Sequence, residues 1–216
     1  MNNNLVDVKS MSNEDIMKAI GQDDGSSTPS LPRLMINRNP EDDDGNKLPV
    51  GTYGVYDSGI ESMVYGKPAI FRPFLNSFQF MEYDAEQNKF SKRSVIFKNW
   101  KDDPIDTSGG SRCGKVPFKE IETLSREDQA KQKQIKCYTL VYGLLNMDAV
   151  TGDGKDVTIE NLPILWRATG MNFRPINEAI TSIKGQDRLQ QNTNLLLDTQ
   201  RKKHGANVYY MTSISL

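Results

Sequence analysis

The best helical signal in this chain lies in one stretch whose apolar residues recur at helical spacing. Ile176, Ala179, Ile180 and Ile183 stand at i, i+3, i+4 and i+7, behind Pro175 and ahead of Gly185. Proline suits a first helical position and glycine a helix end, so the spacing predicts a helix of about ten residues there. Short runs rich in aromatic and β-branched side chains recur along the rest of the chain, at 50–57, 69–74, 77–83, 91–100, 135–145, 157–169, 194–199 and 207–214. Polar, glycine-bearing stretches separate these runs, as turns separate strands. A chain with this pattern has to bury itself mainly as a sheet.

The expected architecture is therefore mainly β: an OB-like antiparallel barrel or curled sheet with elaborated loops and one or two short helices. At 216 residues the chain is long enough for a sizeable core. Residues 31–216 read as a single domain and residues 1–30 as an appendage. Within the appendage, Ser12 and Asp15 form a capping-box pattern ahead of Ile16, Met17, Ala19 and Ile20, and GQDDGSSTPS follows as a tether. A second capping box, Ser125 with Asp128, opens the polar segment SREDQAKQKQ, a helix with almost no apolar stripe.

Nine of the aromatic residues lie between positions 65 and 100: Tyr65, Phe71, Phe74, Phe78, Phe80, Tyr83, Phe90, Phe97 and Trp100. Lys67, Arg72, Lys89, Lys92, Arg93 and Lys98 are threaded among them, against Glu82, Asp84 and Glu86. Rings beside cations on extended chain are what a single nucleic-acid strand needs, because bases stack on rings while Lys and Arg follow phosphates. The same composition also suits a half-buried sheet with solubilising lysines outside. In 90–100, strand parity sets Phe90, Ile96 and Trp100 with Lys92 and Lys98, and Val95 and Phe97 with Arg93. Neither face is purely apolar, as one face of a simple sandwich should be. Near 166, parity separates Trp166 from Arg167, and Trp166 is the expected core residue.

Net charge is −1, unevenly distributed. Residues 1–48 hold nine acids and five bases, and residues 49–216 hold 22 bases and 19 acids. A mildly basic body permits a polyanionic partner without demanding one. No apolar run approaches the roughly 18 to 20 residues of a membrane span, and the N-terminus lacks the apolar stretch of a signal peptide. The cytoplasm is the expected compartment, with Cys113 and Cys137 reduced.

Several motifs point to chemistry and then fail to complete it. The segment GGSRCGK ends at Lys115 like a phosphate-binding loop, but Val116 offers no hydroxyl for magnesium and Pro117 spoils the helix start. It remains a basic glycine loop able to touch a phosphate backbone through Arg112 and Lys115. Glu41, Asp42, Asp43 and Asp44 before Gly45 lack the spacing of a calcium loop, and so do Asp153 and Asp156 around Gly154; both read as turns. His204 is the only histidine, too little with two cysteines for a zinc set or a nucleophile-base pair. No enzyme, metal or cofactor is expected. Arg201, Lys202 and Lys203 form the densest positive cluster, in a predicted turn that is either solvated or a phosphate grip.

With LPRLMINRNPEDDDGNKLPVGTYGVYD, IFRPFLNSFQFMEYD, KRSVIFKNW, IKCYTLVYGLL and LPILWRATGMNFRP in view, the chain resembles bacteriophage single-stranded-DNA-binding proteins with an OB core. The resemblance spans residues 31–216 and rests on strand order and aromatic-basic texture. It implies coating of single-stranded DNA during replication or recombination. Such proteins commonly end in an acidic tail, whereas here no acid follows Asp198 and the acidic run lies at Glu41–Asp44. The residues expected to touch DNA are Phe78, Phe80, Tyr83, Phe97 and Trp100 by stacking, and Lys92, Arg93, Lys98, Arg112, Lys115, Arg201, Lys202 and Lys203 by charge. Replication or recombination proteins are expected at residues 12–21 or at the acidic run. The alternatives are a phage structural or assembly protein that binds protein, and a metal-dependent nuclease.

Overall fold

The β-branched and aromatic runs pair into a single sheet. The computed structural model describes residues 31–42, 45–56, 63–84, 86–87, 89–98, 112–185 and 192–216. Its strands are β1 (Arg33–Ile36), β2 (Tyr53–Tyr56), β3 (Val64–Gly66), β4 (Ala69–Asp84), β5 (Lys89–Arg93), β6 (Ile135–Thr151), β7 (Asp156–Ala168), β8 (Leu195–His204) and β9 (Asn207–Ser215). Among the described residues three α-helices accompany them: α1 (Phe118–Ile121), α2 (Arg126–Gln134) and α3 (Phe173–Gly185). The strand order is β3-β2-β1-β7-β6-β4-β8-β9, with β5 against β4. Because β3 also reaches β6, strands β3, β2, β1, β7 and β6 curl into a ring, closed between β1 and β7 by a parallel pair. The fold is thus mainly β, a mixed curled sheet that is ring-like in part rather than a clean barrel.

Details differ from the expectation in instructive ways. Runs 69–74 and 77–83 are one strand, β4, rather than two. Arg201, Lys202 and Lys203 are not in a turn; they extend β8, opposite Tyr210, Tyr209 and Val208 of β9, and the chain reverses only at Gly205. Helix α3 follows β7 and packs Ile176, Ile180 and Ile183 against ring-strand residues such as Leu34, Tyr53, Val55 and Trp166. Its expected start at Pro175 is preceded by a 3-10 turn at Gly170–Asn172. Ser125 does cap α2, accepting from the Asp128 amide. The appendage helix at 12–20, its tether, Asp43, Asp44 and Trp100 lie outside the described residues.

A bulge in β4 decides which side chain goes where. Pairing with β6 runs Phe71↔Leu145 and Pro73↔Gly143, then shifts to Leu75↔Tyr142, Ser77↔Leu140 and Phe78↔Thr139. One extra residue reverses the alternation beyond it. Odd-numbered Phe71 and even-numbered Phe78 and Phe80 therefore share one face. Leu75, Ser77, Gln79 and Met81 take the other.

The first face carries the main core. Phe71, Tyr53, Val141, Leu145, Ile164, Trp166, Leu195 and Leu197 pack there against Ile176, Ile180 and Ile183 of α3. Phe71 and Tyr53 each meet Trp166 edge-on, at 5.8 and 6.2 Å. Pairs of this geometry contribute about 0.5–1.5 kcal/mol beyond burial. Gly143 makes room for this cluster, since a Cβ there would sit 2.7 Å from the Phe71 ring.

Candidate functional site

The predicted DNA-contacting residues do not gather in one place. Four phenylalanines form a satellite cluster on the α3 side. Phe80 stacks on Phe97 at 5.9 Å with 13° between planes, Phe97 meets Phe78 at 5.8 Å, and Phe78 meets Phe173 at 6.1 Å. Phe97 is 6% exposed, so its faces are occupied by protein. The Arg112 guanidinium lies over the Phe80 ring at 5.9 Å. Arg112, Cys113 and Gly114 all take positive φ (53°, 57° and 81°), a left-handed turn that brings the glycine loop down onto β4. Cys113 is buried there and donates to the Phe80 carbonyl at 3.4 Å. Lys115 turns inward, donating to the Gln132 carbonyl, and burial lowers its ammonium below the usual lysine range. The loop's cations thus serve the fold locally.

Lys92 and Arg93 part company across β5. Lys92 pairs with Glu82 at 3.6 Å, and Lys98 is exposed. Arg201, Lys202 and Lys203 ride on the exposed β8–β9 arm. That arm leaves the sheet beyond Ala69, where Leu197 pairs, whereas Phe78 lies nine residues the other way. The arm and the phenylalanine cluster thus lie toward opposite ends of β4, although the Thr212 amide of β9 donates at 2.8 Å to Asn172, next to Phe173. Glu41 and Asp42 belong to a small turn, in which Asp42 accepts from the Asn46 amide at 2.7 Å and its side chain at 2.9 Å. Among the described residues no three His, Cys, Asp or Glu side chains gather to hold a metal ion. No described helix is long and apolar enough to cross a membrane.

The second face of the sheet collects what the linear pattern separated. Across β4, β6, β7 and β1 one row reads Leu75, Tyr142, Leu165 and Arg33, and the next reads Ser77, Leu140 and Arg167. Tyr138 stands beyond them, opposite Gln79. The β4–β5 hairpin extends this face: Tyr83 meets Phe90 edge-on at 5.5 Å, and Phe90 meets Tyr138 at 5.8 Å. Arg93 lies over Phe90 at 5.5 Å. The floor is the small apolar cluster of Leu140, Tyr142 and Leu165, flanked by Leu31, Leu75 and Ile96. No acid stands on this face in the rows from Leu75 to Met81, Lys136 to Tyr142, Leu165 to Arg167 and Arg33.

Arg167 sits at the centre of that face without a carboxylate. Burial, then the charges of Arg33 and Arg93, push its guanidinium down to about 10. Burial likewise raises the Tyr142 phenol, although the nearby Arg167 charge opposes the rise. Of the residues expected to touch DNA, Tyr83 and Arg93 stand on this face; Arg33, Phe90, Tyr138, Tyr142 and Arg167 share it and were not among those expected. Parity across 166 and 167 already set Arg167 opposite the core, which was the available signal. On the opposite side of the molecule a shallow groove of about 490 Å³ runs along α3, lined by Phe173, Arg174, Asn177, Glu178, Thr181 and Ser182. Arg174 and Glu178 pair within it at 2.6 Å, leaving it little net charge. No protein-family model, curated protein or solved structure matches this chain.

Proposed function

We propose that this chain binds single-stranded DNA on the second face of its sheet, independently of base sequence. The carrying observation is that Tyr83, Phe90 and Tyr138 share a partly open face with Arg33, Arg93 and Arg167, and that among the described residues no acid stands in its central rows. Rings offer bases a stacking surface that every base can use, and unpaired guanidiniums offer phosphates a charge-assisted contact. The phenylalanine cluster of the other face supports the structural integrity of the hairpin instead, because Phe80 and Phe97 stack face to face and Phe97 is buried, whereas the rings of the second face meet edge-on. Coating of single-stranded intermediates in phage-type replication or recombination is the role that agrees with this chemistry.

The test is an anisotropy titration of end-labelled oligo-dT at two salt concentrations. Binding that weakens steeply with salt and is lost with Tyr138→Ala together with Arg93→Ala supports the reading. Absence of binding to single strands at low salt overturns it.

A further inference from the structure

The second face has a deficit of one kind only. Ser77 Oγ, Tyr142 Oη and Arg167 Nε are buried and have no hydrogen-bond partner. Ser77 and Tyr142 are only 3% and 4% exposed, so water does not easily serve them. All three groups lie on the same face, in adjacent rows of the register. Each can donate, and no acceptor is placed to receive them. Buried donors normally have partners, and an unpaired buried charge is costlier still. Around them stand Arg33 and Arg93, close enough to act unfavourably on the Arg167 charge. A fold that only needed packing would set a leucine or a glutamate at such a position.

We infer that the centre of this face is an oxyanion pocket that holds one phosphate group, with Arg167 and Tyr142 donating to its oxygens and Arg33 and Arg93 flanking it. A phosphate supplies what is missing, namely negative charge and several acceptor oxygens in a small volume. The pocket opens to solvent past Arg93, which is exposed. Ser77 lies one strand beyond Leu140 from Arg167, roughly 10 Å across the sheet, and so borders the pocket. The inference rests on the single-strand reading for the phosphodiester as the source of that group. A free phosphorylated small molecule would present the same chemistry.

The experiment uses the full chain, with inorganic phosphate and labelled oligo-dT as separate probes. Phosphate is titrated against thermal unfolding at constant ionic strength set with sodium chloride. The wild type is expected to rise saturably in Tm, Tyr142→Phe to rise less, and Arg167→Gln to stay flat. In chloride alone Arg167→Gln is expected to melt no lower than the wild type, because it removes an unpaired buried cation. Oligo-dT should bind Arg167→Gln about ten-fold more weakly or worse, as for a lost charge-assisted contact. If Arg167→Gln does not fold, Tyr142→Phe alone carries the test, since it deletes one hydroxyl and keeps the ring. A phosphate response no larger than that of chloride, or an undiminished one in both variants, overturns the pocket. Oligo-dT binding with no phosphate response removes the pocket and leaves the single-strand reading. A phosphate response without oligo-dT binding keeps the pocket, assigns it to a free phosphorylated ligand and removes the single-strand reading.

Discussion

The two faces of this sheet are cut from the same strands, residue by residue in alternation, yet they obey different rules. On the covered face Phe71, Trp166 and Tyr53 meet edge-on, helix α3 closes over them, and the hydroxyl of Tyr53 is satisfied by the Asp198 carbonyl at 3.0 Å. On the open face Tyr142 is as deeply placed, but its hydroxyl finds no partner, and arginines stand where acids or aliphatic residues would quiet them. On the covered face one buried hydroxyl, Thr212 Oγ1, also lacks a partner. The second face leaves Ser77 Oγ, Tyr142 Oη and Arg167 Nε without partners. What separates the two is the gathering of Arg33, Arg93 and Arg167 on the second face, since ring content alone is similar on both sides.

That contrast can be broken by substitution. Phe71→Ala should cost about 3–5 kcal/mol in denaturant unfolding, because the ring fills the space over Gly143 and meets Trp166. The same truncation at Tyr138, which is only partly buried, should cost clearly less. Equal losses at the two positions would erase the distinction between the faces.

Cysteine chemistry tests the covered side in another way. Burial pushes the Cys137 thiol up to about 12 from 9.0, so its thiolate at pH 8 is suppressed roughly a thousandfold. Alkylation in the folded chain should be slow, should accelerate only as pH climbs toward that value, and should become fast on denaturation. Prompt reaction of the native chain at pH 8 would show that this part of the face is open.

Binding should divide along the same line. Tyr138→Ala is expected to weaken oligo-dT by about 1–3 kcal/mol if the ring stacks on a base. Phe97→Ala should lower the melting temperature while leaving the affinity of the folded fraction nearly unchanged, because that ring stacks on Phe80 and Phe78. The reverse pattern would return the site to the phenylalanine cluster. The smallest effect is expected at Ser125→Ala, which removes the cap of exposed helix α2 and should cost about 1 kcal/mol without touching either face.

Much of the fold is legible in the residues. Helix α3 follows from the spacing of Ile176, Ala179, Ile180 and Ile183, and α2 from the Ser125 cap. Most strand runs fall close to where the β-branched and aromatic residues concentrate. The candidate site was less legible. Alternation correctly divides Trp166 from Arg167, but it does not carry through the long aromatic tract, because a bulge between Pro73 and Leu75 changes the phase of everything beyond it. Arg201, Lys202 and Lys203 look like the tip of a turn, but cross-strand pairing with Tyr210, Tyr209 and Val208 carries them along an arm away from the other cations.

By itself, then, the sequence determined that this chain makes strands, where its good helices lie, and that its body mixes rings with positive charge. Those properties are local: they depend on periodicity, caps and turns within a few residues. Only the tertiary structure decided that Arg33, Arg93 and Arg167, widely separated in the chain, share one face with Tyr138 and Tyr142. Register and the bulge set that meeting, and both come from pairing between distant strands. A one-residue slip would have sent the same side chains to the other side.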